Sequence, residues 1–372
     1  MNLRPLRFFL TILAFACGGT GLSAATVLKR KVIIDQDAFG PGGSNMQALL
    51  LVIQSPDVEV LGITIESGDG WCAENAAHTL RLLEIIGRTD IPVVAGATWP
   101  LVNTPEATKR WEARYGKLFY KGAWTEVWPK ETPVKRPPYH AADIVPPLPE
   151  GAPTSKAVTE PAAVFLARKV REFPGEVSIL ALGPLTNLAL ALRLDETFAT
   201  NTREIVVMGG SFSPHPANNA FALEYTYTPR LEFNFRWDPE AASMVFHAPW
   251  KRLVQVPVDP TTTTMFSPEL IKRATAANTP LTRYVAQYAE GFPMWDELAA
   301  AVWLQPSIIT RQEIVAVDID HGDGAGYGNT LSWARGRGPG MGERDVTVVF
   351  AIDVPALECL TVEAFNRATA KP

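Results

Sequence analysis

Residues 32–47 read VIIDQDAFGPGGSNMQ, and the order of chemistry in this stretch decides the fold. Val32, Ile33 and Ile34 form an apolar run of the kind that ends a buried parallel strand. Asp35 and Asp37 follow at once, then a turn rich in Gly and Pro. Ser44-Asn45 next opens the apolar run MQALLLVI, the start of a helix. Strand, acidic loop and helix in that order put two carboxylates at the carboxyl end of a strand, where open α/β sheets bind their ligands. The plain alternative is that the two acids only end a strand and cap a helix.

The same alternation continues outward. VEVLGITI (58–65) is a strand running into a Gly-rich loop that holds Asp69. CAENAAHTLRLLEII has helical periodicity and stops at Gly87, a natural C-cap. IPVVAGA (91–97) is a third short strand. Residues 98–159 break the rhythm with Trp, Tyr, Lys and Pro, as a binding loop or a solvated excursion would. Order returns with the helix PAAVFLARKVREF, the strand VSILALG, the helix PLTNLALALRL and the strand EIVVMGG. A second irregular segment, about 211–230, precedes EFNFRWDPEAASMVF, in which Asp238-Pro239-Glu240 starts a helix with Pro at its first position. WKRLVQVPVD is a further strand, and VAVDIDHGD and DVTVVFAIDV read as a C-terminal hairpin around a glycine-rich run. That run lacks the GK[ST] ending of a phosphate loop. The expected architecture is an open, mostly parallel α/β sheet with helices on both faces, a Rossmann-like core and insertions at the carboxyl edge.

Composition is that of a globular chain: 372 residues, 47% hydrophobic and 20% charged, with no low-complexity linker, so residues 26–372 are read as a single domain. Residues 1–25 carry Arg4 and Arg7, an apolar run from Phe8 to Ala16, and small residues up to Ala25. This is the pattern of a secretory signal cleaved after Ala25, with export to the periplasm or the medium. A lipid attachment at Cys17 is the weaker reading, because bulky Phe15 sits near the cleavage point. The apolar run is too short for a permanent anchor, so no membrane partner is expected after cleavage. Without those residues the chain has 32 basic against 39 acidic side chains, a net −7, which argues against a nucleic-acid partner. Cys72 and Cys359 then remain; they could form one disulfide in an oxidising compartment, but two cysteines make no framework and are read as small buried hydrophobes. No Cys/His cluster suggests zinc.

Several separated pieces together resemble the inosine/uridine-preferring nucleoside hydrolase family. They are IIDQD, VLGIT…SGD…N…TLRLLEIIGRTDIPVVAGA, ILALGPLTNLALAL, VVMGG, EFNFRWDPEAA and WDELAAAVWLQPSI, in matching order between about residues 32 and 309. The resemblance implies a calcium ion at the sheet edge that holds a water and the ribose hydroxyls, while an aspartate deprotonates the water for attack on the anomeric carbon. It implies a small nucleoside or ribosyl substrate and, as in the family, dimers or tetramers. By motif, Asp37 is general base and metal ligand, Asp35 supports it, Asp296 is a metal ligand and Leu182 lends its carbonyl. Glu232 and Asn234 hold the ribose, and Met208 packs beneath it. On their own, Asp296 is a helix cap, Met208 a core methionine and Asn187 a structural residue.

The chain departs from the family pattern in three places. The loop D-x-D-x-x-x-D-D becomes Asp35-Gln36-Asp37, six residues, then Ser44-Asn45, so the acid pair is missing. With Asn45 as the remaining ligand, the expectation is a weakened Ca²⁺ site. Asp69 stands where the family has Asn, with a role in binding hydroxyls or restoring charge. Trp295 occupies the place of a His linked to the leaving base, and indole is no general acid. Stacking on Trp295, another group (His215, Tyr225 or Tyr227), or a base that needs no proton would replace it. The alternatives to an N-ribosyl hydrolase are a non-catalytic nucleoside- or sugar-binding protein on the same scaffold, and an interaction module built on the aromatic insertion.

Overall fold

The computed structural model describes residues 29–127, 137–213 and 231–368. A nine-stranded sheet runs in the order β3-β2-β1-β4-β5-β6-β9-β7-β8. Its strands are β1 (Arg30–Gln36), β2 (Val58–Ile65), β3 (Val93–Ala95), β4 (Val177–Ala181), β5 (Glu204–Met208), β6 (Leu253–Val256), β7 (Ile309–Ile319), β8 (Thr330–Ala334) and β9 (Arg344–Ile352). All pairings from β3 across to β9 are parallel, and β7 then runs antiparallel to both β9 and β8. The strand order reverses between β1 and β4. Open α/β sheets bind their ligands at such a reversal, beyond the carboxyl ends of the strands.

Alternation along β1 shows why the strands are apolar throughout: Val32 and Ile34 enter one core and Ile33 the other. The first core is closed by the helices Ser44–Ile53, Cys72–Ile86, Trp295–Leu304 and Val354–Asn366, the second by Ala162–Glu172, Thr186–Leu194 and Pro239–His247. The Ser44–Ile53 helix is buried on every side, packed against β2 and the Trp295–Leu304 and Val354–Asn366 helices. That accounts for its largely apolar sequence. Asp238 caps the Pro239–His247 helix, its carboxylate accepting from the Ala241 amide at 3.1 Å. No helix among the described residues is long and apolar enough to cross a membrane.

Three sequence expectations need correction. The C-terminal segment is a three-stranded antiparallel unit: the glycine-rich run contains β8, whose TLSWA is too short and too exposed to stand out by alternation. The 98–159 region is partly regular, with a helix at Pro105–Tyr115, capped by Thr104, and a 3₁₀ turn at Gly122–Trp124. Cys72 is buried but Cys359 is exposed, and both are free thiols.

The insertion is fastened to the body by aromatic contacts. Trp124 stacks on Trp237 at 4.0 Å, and these two join Trp71 in a small separate core. The buried Arg236 guanidinium lies between the rings of Trp111 (5.1 Å) and Tyr327 (4.7 Å). Trp111 Nε1 donates to the Gly324 carbonyl at 2.8 Å, and the Tyr327 hydroxyl donates to Glu240 at 2.9 Å.

Candidate active site

Asp35 and Asp37 lie at the carboxyl end of β1, almost fully buried. Neither caps the following helix: its N-cap is Gly43, which makes no side-chain cap bond. Their hydrogen bonds separate their roles. Asp35 Oδ1 accepts from Thr64 Oγ1 on β2 and from Asn187 Nδ2 at 2.9 Å. Asn187 also donates to the Ile65 carbonyl at 3.3 Å and accepts from the Ala97 amide at 2.9 Å, so it ties together three loop ends. Burial pushes the Asp35 carboxyl up to about 6, against the pull of those donors. Glu66, buried beside Asp35, is raised well above the usual range by burial and by Asp35 itself.

Asp37 lies one residue past the end of β1. Its Oδ2 accepts from the Asp69 backbone amide at 2.8 Å, and its Oδ1 from Asn45 Nδ2 at 3.1 Å. The same Asn45 nitrogen donates to the Leu182 carbonyl, just past β4, at 3.2 Å. A glycine is needed at position 68, because a Cβ there would come within 2.1 Å of Asp37 Oδ2.

Asp296 lies in the first turn of the Trp295–Leu304 helix, whose N-cap is Met294, so the capping reading of Asp296 does not apply. Its amide donates to Ser44 Oγ at 2.9 Å, and Ser44 Oγ donates in turn to Glu297 Oε2 at 2.5 Å. Burial pushes the Asp296 carboxyl well above the carboxylate range, reinforced by Glu297, Asp37 and Asp69. Burial alone takes Glu297 up to about 8, with Ser44 opposing it.

Glu232 caps the Phe233–Trp237 helix, accepting from the amides of Gly210 (2.9 Å), Asn234 (2.8 Å) and Phe235 (3.1 Å). Burial outweighs these donors and raises it to about 7. Asn234 Nδ2 donates to the Met208 carbonyl at 3.2 Å and contacts its sulfur at 3.4 Å. Trp295 is half-buried, tilted against Phe292 at 6.1 Å, and its indole nitrogen is buried without a hydrogen-bond partner. His215, Tyr225 and Tyr227 lie outside the described residues.

Asp37, Asn45, Leu182 and the Asp69 amide are thus brought into one hydrogen-bonded group, near enough to Asp296 for Asp37 and Asp69 to add to the upward shift of its carboxyl. Asp35 belongs to a separate group with Thr64, Glu66 and Asn187. Glu232, Asn234 and Met208 form a third at the end of β5. Sequence reasoning missed Glu66, Glu297 and the Ser44 bridge. The signals available were an acid inside the apolar ITIES strand end and an acid next to Asp296 in an otherwise apolar helix.

The donor set suits a hard cation. Among the described residues no three His, Cys, Asp or Glu side chains form a metal cluster. What converges is two carboxylates, a carbonyl and a side-chain amide, all able to offer oxygen once Asn45 turns its amide over. The charge that Asp37 and Asp69 impose on Asp296 is of the kind a cation relieves.

The strand-order reversal, the acid-bearing β1 loop and the EFN helix define a family with known members. Residues 32–358 match the inosine-uridine preferring nucleoside hydrolase family, and the chain belongs to it. A probable uridine nucleosidase 1 of Oryza sativa is 37% identical over 216 residues, covering 58% of this chain and 55% of that protein. Uridine nucleosidase 1 of Arabidopsis thaliana is 36% identical over 233 residues, 62% of this chain and 57% of that one. The chain therefore spans little more than half the length of these curated relatives. Among solved structures, a plant nucleoside hydrolase superposes with a TM-score of 0.66 at 25% identity, over 92% of this chain and 99% of that one.

Proposed function

We propose that the chain hydrolyses the N-ribosidic bond of a nucleoside, giving free base and ribose. The observation that carries this reading is the convergence of Asp37, Asn45, the Leu182 carbonyl and the Asp69 amide at the strand-order reversal. A divalent cation, Ca²⁺ by the oxygen chemistry of the donors, would be held by Asp37, Asp296, the Leu182 carbonyl and the Asn45 amide oxygen. When bound, the cation makes water more acidic and orients oxygens near it.

The chain's own residues supply the rest. Asp37, its Oδ2 held by the Asp69 backbone amide, takes the proton from the attacking water. The carboxylates of Asp37, Asp69 and Asp296 favour the positive charge that grows on the sugar ring as the base departs. Glu232 shapes the turn that presents Asn234, and Met208 floors it. The Trp295 indole stacks on the base and cannot protonate it. The signal-like residues 1–25 support export, and a homo-oligomer is the family's habit.

The test is release of base from uridine and inosine, read by ultraviolet absorbance with Ca²⁺ present, for the chain and for Asp37→Asn. Equal rates for the two proteins would end this assignment. The Asn45 amide hydrogens turned toward Asp37 favour a second reading, a nucleoside-binding protein. Nucleoside binding by calorimetry with no base released after prolonged incubation would select it.

A further inference from the structure

The aromatic insertion reaches the site through Tyr120. Its hydroxyl donates to Asp69 Oδ1, and the Asp69 backbone amide donates to Asp37 Oδ2 at 2.8 Å. The Tyr120 ring packs edge-on against Phe233 at 4.7 Å, and Phe233 stands between Glu232 and Asn234. The next residues are built onto the same loop. The Ala123 amide donates to the Gly68 carbonyl at 2.9 Å. Gly122 has φ +51°, and a Cβ there would fall 2.1 Å from that carbonyl and 2.5 Å from the Phe233 ring, so no other residue fits. Residues 120–123 therefore touch the Asp37–Asp69 side and the Phe233 side at once.

We propose that Tyr120 is a positioning residue for Asp69, so that the insertion is a working wall of the sugar site rather than a cover over it. The proposal rests on the reading that ribose sits over Asp37. Asp69 hangs from a glycine-rich loop with rotatable torsions, and a fixed phenol on one oxygen sets which way the other points. The phenol also offers a charge-assisted bond to a carboxylate that stands close to Asp37 and Asp296. A substrate hydroxyl presented to Asp69 then meets a carboxylate whose orientation is already set.

The experiment is a double-mutant cycle with Tyr120→Phe and Asp69→Ala, using uridine and inosine turnover and calorimetric binding of D-ribose. Phenylalanine keeps the ring contact with Phe233 and removes the hydroxyl that donates to Asp69. Tyr120→Phe is expected to lower kcat about tenfold with KM changed less than about threefold, and to weaken ribose binding. In the Asp69→Ala background it is expected to change kcat by less than about twofold. Equal penalties in both backgrounds, or an unchanged kcat and ribose affinity in Tyr120→Phe, would overturn the proposal alone. A wild-type chain that neither releases base nor binds ribose would overturn the hydrolase reading and this inference with it.

Discussion

Asn45 places its amide nitrogen 3.1 Å from Asp37 Oδ1, and that nitrogen also reaches the Leu182 carbonyl at 3.2 Å. A donor with two hydrogens thus serves two of the oxygens that would hold a cation. In this orientation Asn45 closes the site on itself, and turning the amide over would offer its oxygen to a metal.

Asn45→Asp removes the closed state and adds a charge. Ca²⁺ affinity by calorimetry is expected to rise about tenfold or more, since ligand charge sets affinity at such sites. Without Ca²⁺ the same variant is expected to melt at a lower temperature, because the new carboxylate faces Asp37. An unchanged affinity would mean that Asn45 is no ligand.

The Glu297 carboxyl, pushed up to about 8 by burial from an unfolded value near 4.5, holds its proton more tightly in the folded chain. Over that window the folded state binds more protons than the unfolded one, so stability falls as pH rises from about 4.5 to about 8. Glu297→Gln cannot ionise, and its amide oxygen still accepts from Ser44. Urea midpoints at pH 5, 7 and 8.5 should fall with pH in the wild type and fall less in the variant. Parallel profiles would remove Glu297 as the source.

Asn187 serves Asp35, the Ile65 carbonyl and the Ala97 amide from a buried position. Asn187→Leu, close in size, would leave all three without it. The expected loss is roughly 3–5 kcal/mol of unfolding free energy, in the range for breaking a buried polar network. A loss under about 1 kcal/mol by denaturant titration would contradict the role.

Since Trp295 gives no proton to a departing base, the leaving group's own acidity should control the rate. p-Nitrophenyl β-D-ribofuranoside, whose phenolate leaves without protonation, is expected to turn over at least about tenfold faster than inosine. Comparable kcat values for the two would point to a general acid elsewhere in the chain.

The parallel part of the sheet was readable because β1, β4, β5 and β6 are buried on both faces and therefore largely apolar, with glycine or acid near the ends of the first two, as in VIIDQD and VSILALG. Residues that meet across the strand-order reversal were readable as motifs, Asp37 and Asp296 among them. Their mutual geometry was not, because Asn45 and Leu182 are joined by a fold contact spanning 137 positions. Glu66 and Glu297 escaped notice for a related reason. An acid in an apolar segment says only that something compensates it, and the partners, Asp35 and Ser44, are distant in sequence. β8 failed differently: a short exposed strand beside glycines has no hydrophobic period to detect.

Arg236 reaches beyond the site. Its cation is sandwiched between a ring from the insertion and a ring from the glycine-rich C-terminal run, far apart in the chain. A loop exchanged between relatives without its counterpart would strand a buried charge with half its cage. The two segments are therefore expected to be inherited as one unit, lost or kept together, and a chimera that transplants the aromatic insertion must carry the 320–330 turn with it.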